Sequence, residues 1–233
     1  AEGGAGNDVF FGGTGSDQFF GGSGDDVFVT DSGSSDYAIT LGGDADKLGE
    51  IPTVVVTKGS ERDTLTGVEV INFAGDMTSG DLSNGTEIRL DGDYRVFDPD
   101  GVTLKATYTS ITDAMDNSAS GDIVVIADNV TIDTDFTVTK DITIQGSGST
   151  GAATIAATLT VSGDATIDGL NFVVQANDIG LAIAADGAII KNSSFDIPTS
   201  AAQAGTTAIS VTDGVAGFTL TGNSVNGVET GLD

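Results

Sequence analysis

Apolar positions recur along residues 9–29 with a strict period of nine. Val9-Phe10-Phe11, Gln18-Phe19-Phe20 and Val27-Phe28-Val29 close three successive nonapeptides, GGAGNDVFF, GGTGSDQFF and GGSGDDVFV. Short β-forming triplets between glycine-rich turns predict strands of three residues that coil into a flat solenoid, with Phe10, Phe19 and Phe28 filling its narrow interior. Each nonapeptide opens with Gly-Gly-x-Gly, which lets the backbone take positive φ and turn its carbonyls inward. Each places an Asp sixth: Asp8, Asp17 and Asp26. Turns two repeats apart stack on one edge, so Asp8 and Asp26 face a shared slot where carboxylates and carbonyls can form a cage of about six oxygens. Asp17 faces the opposite edge. A fourth register, TDSGSSDYA, keeps Gly33 but moves its acid to Asp36, an imperfect partner for Asp17.

The pattern then changes. Apolar and polar residues alternate in Tyr37-Ala38-Ile39-Thr40-Leu41 and Thr53-Val54-Val55-Val56, and again from Asp63 to Phe73, predicting short strands over about 36–83. A final solenoid turn left bare would expose Phe and an unpaired strand edge, so this segment is expected to cap the coil. Glu69, between Val68 and Val70, is expected to be a solvated acid on the opposite side of its strand.

From Ser110 the residues Ser110-Ile111-Thr112-Asp113 resemble a capping box with Asp in place of Glu. Ile111, Ala114, Met115 and Ser118 follow at helical spacing before Gly121, which predicts one short helix. Beyond it the chain is β-rich and its apolar positions align when it is cut into rungs. Val138 and Ile144 match Val161 and Ile167 at a spacing of 23; Phe172 matches Phe195 at 23 and Val225 at a further 30, the longer step implying an insertion at one corner. Rungs of this length suit a three-sided coil whose layers hydrogen-bond at about 4.8 Å. Asn192 and Asn223 follow strands at similar rung positions and are expected in an internal Asn ladder. Asp164, Asp186 and Asp213 are expected to stack along one corner as solvated turns, with cation binding as the alternative, and Asp91-Gly92-Asp93 and Asp98-Pro99-Asp100-Gly101 are read in the same way.

Charge changes the functional picture. Lys and Arg number 8 against 35 Asp and Glu, for a net charge of −27, so the chain repels nucleic acid, anionic lipid and acidic polysaccharide unless cations intervene. With 39% hydrophobic residues it can nonetheless build a packed core. Cys and His are absent, which removes disulfides and thiolate or imidazole metal sites and leaves oxygen donors suited to a hard cation such as calcium. No run of about eighteen apolar residues occurs, and the first residues lack the basic and apolar regions of a secretory signal. The chain begins inside one repeat pattern and stops at Gly231-Leu232-Asp233 inside another, as expected of a piece of a longer polypeptide.

The three nonapeptides resemble the hemolysin-type, or RTX, calcium-binding repeat, whose pattern is GGxGxDxUx with U a large apolar residue. The resemblance implies Ca2+ held by Asp8 and Asp26 with turn carbonyls, here those of Gly4 and Gly6 from the first repeat and of Gly21, Ser23 and Gly24 from the third. It implies that Gly13, Gly15 and Asp17 serve the opposite edge. Asp63-Thr64-Leu65-Thr66-Gly67-Val68-Glu69-Val70-Ile71-Asn72-Phe73 resembles the segment that commonly closes RTX arrays. The later rungs are similar to the right-handed parallel β-helix of the pectin-lyase-like group, including its N-terminal capping helix.

The expected fold is therefore all-β: an RTX β-roll over 1–36, a β-rich capping segment over 37–85, and a parallel β-helix with one short capping helix over 86–233. A β-helix joined to an RTX roll resembles alginate epimerases, whose chemistry calls for a base, an acid and a group that neutralises a sugar carboxylate. From residue 106 onward the basic residues are Lys140 and Lys191, with no His or Arg, and the last Tyr is Tyr108. The expectation is thus a non-catalytic, calcium-binding module of a bacterial adhesin, surface layer or filament. It would lie outside the cell, exported by the type I route that the family resemblance implies, with self-assembly or an extracellular polysaccharide as further partners. The alternative is a fragment of a polysaccharide-modifying enzyme, epimerase-like or lyase-like, whose active site lies in other rungs.

Overall fold

Alternation decides which side of each short strand meets the core. Phe10, Phe19 and Phe28 are buried, whereas Val9, Phe11 and Phe20 stand exposed beside them. The computed structural model describes residues 1–42, 53–73, 87–147, 153–197, 205–227 and 230–232. The chain divides into two compact units, Ala1–Thr109 and Ser110–Asp233.

In the first unit, β1 (Glu2–Ala5), β2 (Val9–Phe11), β3 (Gln18–Ser23) and β4 (Val27–Thr30) alternate between two sheets. β1 pairs in parallel with β3, and β2 with β4, so equivalent residues stack two repeats apart, Phe10 upon Phe28. Phe19 reaches in from the other sheet, its ring centroid 5.6 Å from that of Phe10 and 5.0 Å from that of Phe28. Tilted rings at such distances add specific attraction to their burial.

After β5 (Ala38–Gly42) and β6 (Thr53–Lys58), the chain returns to the roll. β7 (Glu61–Thr66) pairs in parallel with β3, and β8 (Val70–Phe73) with β4. Antiparallel partners then occupy their far edges, β6 and then β5 beside β7, and β9 (Glu87–Arg89) beside β8. Parallel stacking thus ends with paired backbone groups, as an edge requires. β10 (Tyr94–Phe97) and β11 (Leu104–Tyr108) form an antiparallel pair. Their connection includes Asp98–Gly101, where Asp100 accepts the amides of Val102 and Thr103, and those bonds hold its carboxyl below the ordinary value. Asp91 forms an ion pair with Arg89 at 2.7 Å, so it is more than a solvated turn residue.

The expected boundary at residues 85 and 86 lies outside the described residues. The compact units part later, between Thr109 and Ser110, and β9, the partner of β8, lies within the first unit.

The second unit opens with α1 (Ile111–Asn117), which buries Ile111, Ala114 and Met115. Ser110 is its N-cap residue but makes no side-chain capping bond, so the expected capping box does not form. The other end is the better anchored. Lys140 Nζ donates to the carbonyls of Met115, Asp116 and Ser118 at 2.8, 3.0 and 2.7 Å, placing a cation where helix carbonyls lack partners.

Five rungs follow. They are β12 (Ile123–Ile126), β13 (Thr131–Ile132) and β14 (Phe136–Val138); β15 (Thr143–Gly146), β16 (Thr154–Ile155) and β17 (Leu159–Val161); β18 (Thr166–Asp168), β19 (Asn171–Val173) and β20 (Ile179–Ile183); β21 (Ile189–Lys191), β22 (Ser194–Asp196) and β23 (Thr207–Val211); and β24 (Thr219–Thr221), β25 (Ser224–Asn226) and β26 (Thr230–Leu232). Each rung gives one strand to each of three parallel sheets, β12-β15-β18-β21-β24, β13-β16-β19-β22-β25 and β14-β17-β20-β23-β26. Val138 pairs with Val161, Ile144 with Ile167, Phe172 with Phe195 and Phe195 with Val225, which are the registers that the spacing predicts. Phe172 and Phe195 stack at 4.5 Å and 9°, both with 0% exposure. Most of the longer step falls between β22 and β23, where 198–204 lie outside the described residues.

One expectation about polar rungs is corrected. Asn192 and Asn223 are one register apart, since Lys191 pairs with Thr221, so they do not form a ladder. Asn192 Nδ2 donates to Asp168, and Asn223 bridges rungs by accepting the Ser193 amide at 2.9 Å and donating to the Ile190 carbonyl. Of the acids expected at one corner, Asp164 and Asp186 are exposed; the Asp164 carboxylate lies near Gly187, and Asp186 accepts the amide of Ala216.

Candidate metal centre

The repeat turns owe their shape to glycine. Gly4 and Gly6 have φ of 105° and 103°, in a region that residues with a Cβ rarely adopt. The third turn repeats the conformation at Gly22 and Gly24. β1 and β3 place Gly4 beside Gly22 and Ala5 beside Ser23, and the Gly6 amide donates to the Ser23 carbonyl at 2.8 Å. A Cβ on Gly22 would meet the Gly4 carbonyl oxygen at 2.0 Å, and one on Gly24 the Gly6 oxygen at 2.5 Å. The two turns are therefore stacked backbone against backbone.

The carboxylates follow the same stack. Asp8 donates its backbone N–H to Asp26 Oδ1 at 2.8 Å. Oδ2 of Asp8 and Oδ2 of Asp26 are both buried without a hydrogen-bond partner. Around Gly3, Asp8 Oδ2 and the Gly21 carbonyl oxygen crowd the same space, 2.5 and 2.7 Å from where a Cβ would stand. Unpartnered carboxylate oxygen facing carbonyl oxygen repels unless a cation lies between them, which is what an oxygen-lined calcium site supplies. Among the described residues no three His, Cys, Asp or Glu side chains gather around one point, so an ion here draws on two carboxylates and on carbonyls.

On the opposite edge are Gly13, Gly15 and Asp17, with Gly13 and Gly15 also at positive φ. Asp17 does not pair with Asp36, which lies exposed in a 3-10 turn at Ser34–Asp36. Its amide donates instead to Asp63 Oδ1 at 2.9 Å. Glu69 is likewise not a solvated acid. It is 5% exposed, and its Oε2 accepts the amide of Asp26. Burial pushes both Asp63 and Glu69 carboxyls above their ordinary values.

A signal for these two acids exists in the sequence. Asp63-Thr64-Leu65-Thr66-Gly67 repeats the spacing of Asp17-Gln18-Phe19-Phe20-Gly21, and Glu69-Val70-Ile71 that of Asp26-Val27-Phe28. The strict glycine pattern conceals it, because the segment lacks the Gly-Gly-x-Gly turn.

Residues 2–35 match the family model of the RTX calcium-binding nonapeptide repeat in four copies. No curated protein matches the chain. Among solved structures it is similar to the extracellular lipase LipA from Serratia marcescens, at 15% identity and a TM-score of 0.24. That match covers 95% of this chain and 30% of the lipase chain. RTX nonapeptide repeats bind Ca2+, so calcium is the cofactor of this segment, and the module is of the kind found in secreted bacterial proteins. Among the described residues no helix is long and apolar enough to cross a membrane.

Proposed function

We propose that this chain is a calcium-fastened structural module of a secreted or cell-surface protein, of adhesin, surface-layer or filament type, with no catalytic role of its own. The observation that carries the reading is the stacked pair Asp8 and Asp26, each holding a buried carboxylate oxygen without a partner. In this reading Asp8 and Asp26 bind the ion with carbonyls drawn from Gly4, Gly6, Gly21, Ser23 and Gly24. Gly13, Gly15 and Asp17 serve the opposite edge, and the later rungs provide rigid extension. The use of the basic side chains supports a structural role for those rungs. Lys140 is committed to three carbonyls of the helix end, and Lys191 pairs with Asp168 at 3.1 Å. Lys140 is thereby held at the helix end, away from a role in neutralising a sugar carboxylate.

Thermal unfolding across a calcium series tests the reading. The roll should melt at a temperature that rises with calcium, as for any ion that binds only the folded state, with half-saturation in the range of about 10⁻⁴–10⁻³ M common to extracellular modules. Melting that ignores both calcium and chelator would overturn it.

A further inference from the structure

The turn Gly67–Glu69 occupies the place that a further RTX turn would take. Phe20 pairs with Thr66 and Val27 with Val70, so three residues, Gly67-Val68-Glu69, stand against the six of Gly21–Asp26. Despite the shorter turn, the contacts of the Asp8 slot recur one layer on. In that slot the Asp8 amide donates to a carboxylate of the next layer, Asp26, and Asp8 Oδ2 shares the space at Gly3 with the Gly21 carbonyl. One layer on, the Asp26 amide donates to a carboxylate of the next layer, Glu69. Asp26 Oδ2 shares the space at Gly21 with the Gly67 carbonyl, 2.4 and 1.7 Å from where a Cβ would stand. Glutamate has one methylene more than aspartate, and that length lets a three-residue turn present its carboxylate where a six-residue turn presents Asp.

We propose that Asp26, Glu69 and the Gly67 carbonyl form a second cation site on the edge that carries Asp8, outside the nonapeptide motif, so that Asp26 lies between two stacked calcium ions. Asp26 is 0% exposed with Oδ2 unpartnered, and Glu69 is 5% exposed. Among the described residues no Lys or Arg pairs with either, so two acids are buried side by side without a positive charge. Such an arrangement calls for a cation or a proton, and the recurrence of the contacts of the Asp8 slot favours the cation. This inference rests on the calcium reading above and extends it to the closing segment.

The test is calcium counting by equilibrium dialysis on the whole chain, comparing the parent with Asp8→Asn, Glu69→Gln and Glu69→Asp, with circular dichroism as the check on folding. Glu69→Gln keeps an acceptor for the Asp26 amide while removing the charge. It should bind one ion fewer than the parent, or bind it at least about tenfold more weakly, while the roll stays folded. Glu69→Asp keeps the charge but cannot span the short turn, and should show the same loss. Asp8→Asn should lose a different ion, so that the double variant loses two. An unchanged calcium count in folded Glu69→Gln, with an ion lost in Asp8→Asn, would overturn this inference and leave the calcium reading intact. A parent that binds no calcium would overturn both. If Glu69→Gln does not fold, the Glu69→Asp count decides, and full retention of the ion there would count against the site.

Discussion

Asp8 and Asp26 lie 18 residues apart in sequence, yet the amide of the first donates to the carboxylate of the second at 2.8 Å. That bond converts a sequence period into a physical stack. It also makes the two acids unequal, because the Asp26 carboxylate accepts from the layer before it while the Asp26 amide donates to Glu69 in the layer after it.

Replacing Asp26 should therefore cost more than replacing Asp8. Asp26→Ala removes a charge and also leaves the Asp8 amide without its acceptor, a penalty of about 1–3 kcal/mol for a buried group. Asp8→Ala removes a charge alone. The calcium concentration at which the roll folds, followed by circular dichroism, should rise further for Asp26→Ala than for Asp8→Ala. Equal midpoints would mean that the stack does not couple its layers.

Glycines in the roll divide into those that a methyl group can replace and those that it cannot. A Cβ on Gly21 would stand 1.7 Å from the Gly67 carbonyl oxygen, a backbone atom that cannot swing aside. Gly59, at φ 61°, has nothing within 4 Å, so Gly59→Ala carries only the left-handed penalty of about 1–2 kcal/mol. Gly21→Ala should prevent calcium-driven folding of the roll, whereas Gly59→Ala should lower its melting temperature by a few degrees. A Gly21→Ala protein that folds normally in calcium would show that the two turns do not approach as described.

The rungs were legible because their spacing is carried by large buried side chains, and Phe172, Phe195 and Val225 announce their own register. The nonapeptides were legible because glycine, Asp and Phe each have one place in a short period. What escaped was the third layer of the roll. Tertiary pairing carries β7 back to β3, bringing together Asp17 and Asp63 from 46 residues apart, and the repeated spacing that reports this return is hidden because the segment lacks the Gly-Gly-x-Gly turn. Glu69 was misread for the same reason. Alternation along one strand separates two faces, but it cannot tell solvent from the buried layer of a neighbouring turn.

In the second unit, Phe195→Ala should be the costly core change. The side chain has 0% exposure and stacks on Phe172 at 4.5 Å, so truncation should cost about 3–5 kcal/mol in urea unfolding of that unit. Calcium should not restore it. A loss below about 1 kcal/mol would place the aromatic stack outside the packed core.

One exposed carboxylate gives a pH signature. Asp31 is held at about 2, below its usual 3.8, chiefly by the Lys58 ammonium at 2.8 Å and then by the Tyr37 hydroxyl. Because the folded value is depressed, its contribution to stability is complete above about pH 4 and fades as pH falls toward 2. Titration by NMR should find the Asp31 carboxyl near 2, and Lys58→Ala should move it upward. A titration at the ordinary value in the parent protein would remove the ion pair from solution.

Calcium removal should unfold the roll through β8 while the rungs beyond α1 keep their protection. The repeat segment Gly3–Val29 contains Asp8, Asp17, Asp25 and Asp26 and no Lys or Arg, and nine of its residues are glycines from the three Gly-Gly-x-Gly turns. Each glycine costs about 0.5–1 kcal/mol more than alanine to order, comparable in sum to burying a few side chains at about 1.5–3 kcal/mol each. The ion therefore decides the balance. β7 and β8 share this fate, because they are built onto β3 and β4 and bring Asp63 and Glu69 into the same stacks. The rungs differ in kind. Val161, Ile167, Phe172 and Ile190 are fully buried in successive layers, and their pairing requires no cation. Hydrogen exchange with and without chelator should show amides near Phe28 and Ile71 losing protection together, while those near Val161 and Ile167 retain it. Loss confined to residues before Asp36 would mean that β7 and β8 stand without the repeats, and loss throughout the chain would mean that the two units fold as one calcium-dependent body.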